Sequence, residues 1–133
     1  MYDDILVPTD GRENTELAIE EAIELASIHD AGLHTLYVIN SAAVAPGIDF
    51  DDLEAIGRDA VEYVADLAAE RGLTDVETTV THGLRHRAIL QYADDHDVDL
   101  IVMGRHTGLE RLFRHSVSDR VEAEASVPVL VVE

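Results

Sequence analysis

The segment Asp99-Leu100-Ile101-Val102-Met103-Gly104 carries an apolar run with no polar face, closed on either side by an aspartate and a glycine. Such a run suits a parallel strand covered on both sides, because a strand with one wet face would alternate. Val127-Pro128-Val129-Leu130-Val131-Val132, near the C-terminus, has the same character, and so does Ile5-Leu6-Val7, which Pro8 stops. Leu33 to Ile39 predicts another strand. In a fifth, Val76, Thr78 and Val80 alternate with Glu77, Thr79 and Thr81 before His82-Gly83, the half-buried pattern of a strand near a sheet edge. Between these runs the period lengthens to that of a helix. Glu13 to His29 places Leu17, Ala18, Ala22, Leu25 and Ala26 on one face and stops before Gly32. A longer helix puts Leu53, Ile56, Ala60, Val64, Leu67 and Ala68 inward and stops at Gly72. A third is expected from Arg87 to His96, and the Ser-x-x-Asp spacing of Ser116-Val117-Ser118-Asp119 is that of a capping box opening a fourth. Strands alternating with helices predict one α/β domain over residues 1–133, a doubly wound, Rossmann-like parallel sheet with helices on both faces. Ligands of such folds bind beyond the carboxyl ends of the strands, where strand order reverses.

Composition narrows the function. The 28 acidic residues face nine basic ones, all of them arginine, for a formal net charge of −19. A field of that sign repels nucleic acid and anionic membranes, so neither is an expected partner. The first residues carry no basic leader, and no apolar run is long enough to span a bilayer, so the expected location is the cytoplasm. Without cysteine there is no disulfide, thiolate nucleophile or Cys-based metal site. Without lysine there is no Walker P-loop, Schiff-base chemistry or response-regulator phosphoacceptor site. Neither Gly-x-Gly-x-x-Gly after the first strand nor Gly-x-Ser-x-Gly occurs. No nucleophile–base pair or metal set is assembled, so an enzyme is not expected. Self-repulsion of the surface carboxylates predicts adaptation to a salty medium, since the screening length shrinks to about 3 Å at 1 M salt. The melting temperature is expected to be higher in molar KCl than in dilute buffer, and an equal or lower value in KCl would contradict halophilic adaptation.

Against this acidity, six arginines follow strand ends: Arg12 after the first strand, Arg85 and Arg87 after the third, and Arg105, Arg111 and Arg114 after the fourth. His82, His86, His106 and His115 gather at the same end. With the helix N-terminus at Ser116, they suggest a site for a phosphate-bearing small molecule. The alternative is that these arginines pair with the abundant acids or with a second subunit. The histidines lack a fixed helical ligand spacing and suit solvated or stacking roles better than metal ligation, so no metal site is expected. Asp10 could accept from a ligand hydroxyl or cap the first helix, and Ser116 could touch phosphate or only cap the last. Met103 and Val38 are most simply core residues at strand ends. The final strand, apolar on both faces, needs a cover if it lies at an edge, and the same strand of a second copy would supply one. A homodimer through Val127–Val132 is therefore expected.

Val7-Pro8-Thr9-Asp10-Gly11, Asp99 to Gly104, Ser116-Val117-Ser118 and Pro128 to Val132, in this order and spacing, resemble the universal stress protein A (UspA) family from end to end. The Lys-free acidity is similar to that of haloarchaeal members. The resemblance implies sheet order 3-2-1-4-5, a dimer joined through strand five, a role in the stress response and, in many members, an ATP site, with Mg²⁺ accompanying ATP. In nucleotide-binding members that site resembles Gly-x2-Gly-x9-Gly-Ser/Thr after strand four. Carried onto this chain, it implies cofactor contacts from Pro8, Thr9, Asp10, Val38, Met103, Gly104, Arg105, Gly108, Arg114, His115, Ser116, Val117 and Ser118, with ATP or AMP as ligand. Gly104 matches the first glycine and Ser116 the final hydroxyl. The loop is about two residues short, no second glycine stands in its place, His115 replaces the glycine before Ser116, and Arg12 stands where small hydroxyl residues are usual. Either the loop's arginines and His115 rebuild the phosphate contacts, or the chain resembles the branch that binds no ATP and serves as a dimeric interaction module.

Overall fold

A computed structural model describes residues 1–11, 15–40, 46–104 and 117–132. The elements run β1 (Asp4–Pro8), α1 (Glu16–His29), β2 (Gly32–Ile39), α2 (Phe50–Glu70), β3 (Val76–His82), α3 (Arg85–Asp95), β4 (Leu100–Gly104), α4 (Val117–Glu124) and β5 (Val129–Val132). Every strand pairing is parallel and the sheet order is β3-β2-β1-β4-β5, the doubly wound arrangement expected from the alternation of elements. β4 is the fully apolar strand because it lies between β1 and β5. Ile101 is level with Leu6 on one side and Val129 on the other.

The sheet divides two cores. Ile5, Val7, Leu33, Leu100 and Val102 meet α1 and α2 on one face, through Ile19, Ile23 and Val64. Leu6, Leu36, Val38, Ile101 and Met103 meet α3 and α4 on the other, through Ile89, Tyr92 and Val121. α1 buries Ala18, Ala22 and Ala26 and packs Leu25 on the core, as expected, but Leu17 is 55% exposed, and Ile19 and Ile23 join the buried face. In α2, Ile56 is likewise exposed and Val61 is buried. α3 begins at Arg85, two residues earlier than expected.

Two glycines serve close approach. α1 ends at His29, before Gly32 as expected, with Asp30 as its cap in the left-handed region at φ 54°. Gly32 opens β2, where an added Cβ would lie 2.8 Å from Asp75 Oδ2 and 3.1 Å from Asp4 Oδ1. Gly57 lets α2 settle on β2, since a Cβ there would lie 2.6 Å from the Tyr37 ring.

The amino end of the sheet carries a network that the sequence did not announce. His34, 7% exposed, joins Asp4 Oδ1 through Nε2 at 3.0 Å and the Tyr92 hydroxyl through Nδ1 at 2.8 Å. The Tyr92 ring stacks on His96 with centroids 3.8 Å apart. Burial raises the Tyr92 pKa above its ordinary value. This network ties β1, β2 and α3 together at the end of the sheet remote from the carboxyl termini of the strands.

Candidate functional site

The carboxyl ends of β1, β2 and β4 open into one cleft of about 500 Å³, solvent space at its mouth included. Pro8, Thr9 and Asp10 enter it from the end of β1, Val38 from β2, Met103 and Gly104 from β4, and Val117 and Ser118 from the start of α4. These are the candidate residues that lie among those described, and all of them converge. They do so at the place where the sheet reverses, between β1 with β2 on one side and β4 on the other. Arg105, Gly108, Arg114, His115 and Ser116 lie outside the described residues, as do Arg12, His106 and Arg111.

Cleft residues differ in how far they are committed to the fold. Thr9, 7% exposed, donates its N–H to Leu36 O at 2.9 Å, and its Oγ1 accepts from Gly11 N at 3.1 Å, so it shapes the turn after β1. Asp10 is half-buried and also lines the neighbouring groove between α1 and α2. Thr15 precedes α1, so Asp10 is not the cap of that helix. Val38 and Met103 are both core residues, at 6% and 5% exposure, and walls of the cleft. Leu36, Ile89 and Val117 add to this apolar lining, and Asp10, Gly104 and Ser118 line the same cleft.

Thr15, Leu36, Arg85 and Ile89 complete the lining. Sequence reasoning placed Arg85 among the edge arginines but did not put the other three at the site. Strand alternation could have added Leu36, which shares a face with Val38, and helix periodicity could have added Ile89, one turn past Arg85. The Arg85 guanidinium has no ion-pair or hydrogen-bond partner among the described residues, in a chain with 28 acids. Of the edge histidines, His82 Nε2 lies 3.1 Å from Glu54 Oε1, and His86 Nε2 lies 3.9 Å from Glu124 Oε2. Among the described residues no group of histidines and carboxylates has the geometry of a metal site, and no helix is long and apolar enough to cross a membrane.

Apolar side chains, a carboxylate, a glycine and the start of α4 thus line one cleft, which offers a guest apolar surface, a hydrogen-bond acceptor and backbone N–H groups. The fold is that of a doubly wound α/β domain with a cleft where its strand order reverses. The profile of the universal stress protein family matches residues 1–133, and the chain belongs to that family. Universal stress protein MJ0531 of Methanocaldococcus jannaschii is 33% identical, with all of this chain and 83% of that protein covered. The solved structure of MJ0577, from the same organism, superposes with a TM-score of 0.85 at 27% identity, over 99% of this chain and 96% of the other. A universal stress protein solved in complex with cAMP superposes with a TM-score of 0.77 at 25% identity, over 99% and 97% of the two chains.

Proposed function

We propose that this chain is a stress-response module that binds an adenine nucleotide, AMP or ATP with Mg²⁺, in the cleft at the carboxyl ends of β1, β2 and β4. One observation carries this: Asp10, Val38, Met103, Gly104 and Ser118, drawn from four separate parts of the sequence, line a single cleft. The apolar lining takes the base. The Asp10 carboxylate accepts from a ribose hydroxyl, and Gly104 and the N-terminus of α4 face the phosphates. Family membership and the relative solved with cAMP support the same ligand class. The module works in the cytoplasm as a binding protein, with ligand occupancy rather than turnover as its output.

Isothermal titration with ATP and AMP in molar KCl, with and without Mg²⁺, tests the proposal. Saturable binding at one site per chain is expected. Asp10→Ala is expected to weaken it about tenfold, the loss of one charge-assisted hydrogen bond. Absence of heat with either nucleotide would contradict the proposal.

The partner we propose is a second copy joined along β5. That strand is an edge of the sheet, and Leu130 on it is 37% exposed. Pairing two such edges satisfies their free backbone groups and covers the leucine. Light scattering at micromolar concentration is expected to give the dimer mass. A monomer would remove this partner and would also count against the alternative of a dimeric module that binds no nucleotide.

A further inference from the structure

The outer edge of β5 carries features that attract a second copy and features that repel it. β5 is an end strand of the sheet, four residues long. Leu130 is level with Val102 and Val132 with Gly104, so both point to the sheet face that carries α1 and α2. Val132 packs against the core there, and Leu130 is left exposed. Pairing along four residues with one leucine is a small contact, since stable interfaces bury about 1,200–2,000 Å². The charge beside this edge is one-sided. Glu20, Glu21, Glu24 and Glu70 line a groove that reaches Val132, with a single basic residue, Arg71. The Arg71 guanidinium is taken up by Glu24, Nη2 to Oε2 at 2.5 Å. No basic side chain of this groove is left to receive glutamates from a second copy, and each copy has a formal charge of −19.

We propose that ionic strength switches the pairing of two copies along β5, with the glutamates beside that strand holding the copies apart in dilute salt. This rests on the reading of β5 as the dimer edge. A closed pair uses the same patch of both copies, and antiparallel pairing about a two-fold axis normal to the sheet sets both α1 helices on one side of the joined sheet. The two acidic grooves then flank the joint, separated by little more than the paired strands, which lie about 4.8 Å apart. Like charges at such separations repel at 0.1 M salt, where the screening length is about 10 Å, and hardly at 1 M, where it is about 3 Å. The attraction from Leu130 persists through this change, because apolar burial is not screened. The balance turns toward the dimer as salt rises.

Analytical ultracentrifugation of the chain, over a dilution series, gives the dimer Kd in KCl from 3 M down to 0.1 M, or to the lowest concentration at which circular dichroism still shows the folded chain. The wild-type Kd is expected to rise at least about tenfold from the highest salt to the lowest. Glu20→Gln with Glu21→Gln removes two charges at the edge and is expected to tighten the low-salt dimer about threefold or more. Glu62→Gln with Asp66→Asn makes the same change of net charge on the exposed face of α2 and is expected to stay within about twofold of wild type. A general effect of salt on solubility would move all three chains alike. A dimer whose Kd ignores salt overturns the switch, and variant pairs that behave alike overturn its assignment to Glu20 and Glu21; both results leave the β5 dimer standing. A monomer at every salt, or a dimer that survives Leu130→Asp, removes the β5 pairing itself and this inference with it.

Discussion

Ile101→Ala is expected to lower the unfolding free energy by about 2–5 kcal/mol, and the melting temperature by roughly 10–15 °C for a domain of this size. Ile101 is 0% exposed and lies in β4, held in register by Leu6 of β1 and Val129 of β5. Its side chain belongs to the core under α3 and α4, with Leu6, Leu36, Ile89 and Val121. The cost of truncation there is the lost transfer energy plus the cavity left behind. Parallel ladders on both sides of the strand oppose the backbone movement that could close that cavity. A net stability of about 5–15 kcal/mol leaves little reserve for such a loss. Leu17→Ala removes a side chain of the same size from α1 and is expected to change stability by no more than about 0.5 kcal/mol, because Leu17 is 55% exposed. Thermal and urea unfolding in molar KCl measure both. A loss below about 1 kcal/mol for Ile101→Ala would show that the core refills the space, and β4 would not be the rigid centre described here.

That contrast also shows what was legible. Strand positions were readable because a fully apolar run of four or five residues admits few placements in a two-sided sheet, and β4, β1 and β5 lie where such runs stand in the sequence. In α1 the alanine stripe was legible and the choice among the large residues was not. Leu17, Ile19, Ile23, Leu25 and Ile28 spread apolar residues around much of the helix, and the core that includes Val7 and Val102 takes in Ile19 and Ile23 and leaves Leu17 out. The site divides the same way. Asp10 could be weighed from its place after β1, and Pro8, Val38, Met103 and Gly104 came from the resemblance, whereas Thr15 and Ile89 reach the cleft from elements whose approach to it is tertiary. His34 gave no signal beyond a histidine inside an apolar strand, because its partners Asp4 and Tyr92 are 30 and 58 residues away. The sheet order came from resemblance, and the strand pairings bear it out.

Arg85→Glu is expected to weaken AMP binding by about 10- to 100-fold and at the same time to leave the fold as stable as before or slightly more so. The two effects have separate origins. Arg85 lines the cleft without a carboxylate partner among the described residues. A half-buried cation near a phosphate contributes to its binding, and reversing the charge replaces attraction with repulsion. Within α3, however, the arginine is badly placed. The first turn holds Arg85, His86 and Arg87, no acid, and a leucine at the N-cap with no side-chain hydrogen bond. Basic groups at the positive end of a helix dipole cost about 0.3–1 kcal/mol each, and an acid there gains a similar amount. Stability and binding should therefore move in opposite directions, which a variant that merely damaged the structure could not produce. Adenosine lacks the phosphate and is expected to bind the variant within about threefold of the wild-type chain, since only the charge term is lost. Arg58→Glu, on the exposed face of α2, serves as the control for net charge and is expected to leave AMP affinity within about twofold, because screening at molar salt is nearly complete beyond about 3 Å. Equal losses for AMP and adenosine in Arg85→Glu would move the arginine from the phosphate to the base. Unchanged AMP affinity would make Arg85 a solvated cation, and the cleft would lose the positive charge that sets it apart in this acidic chain.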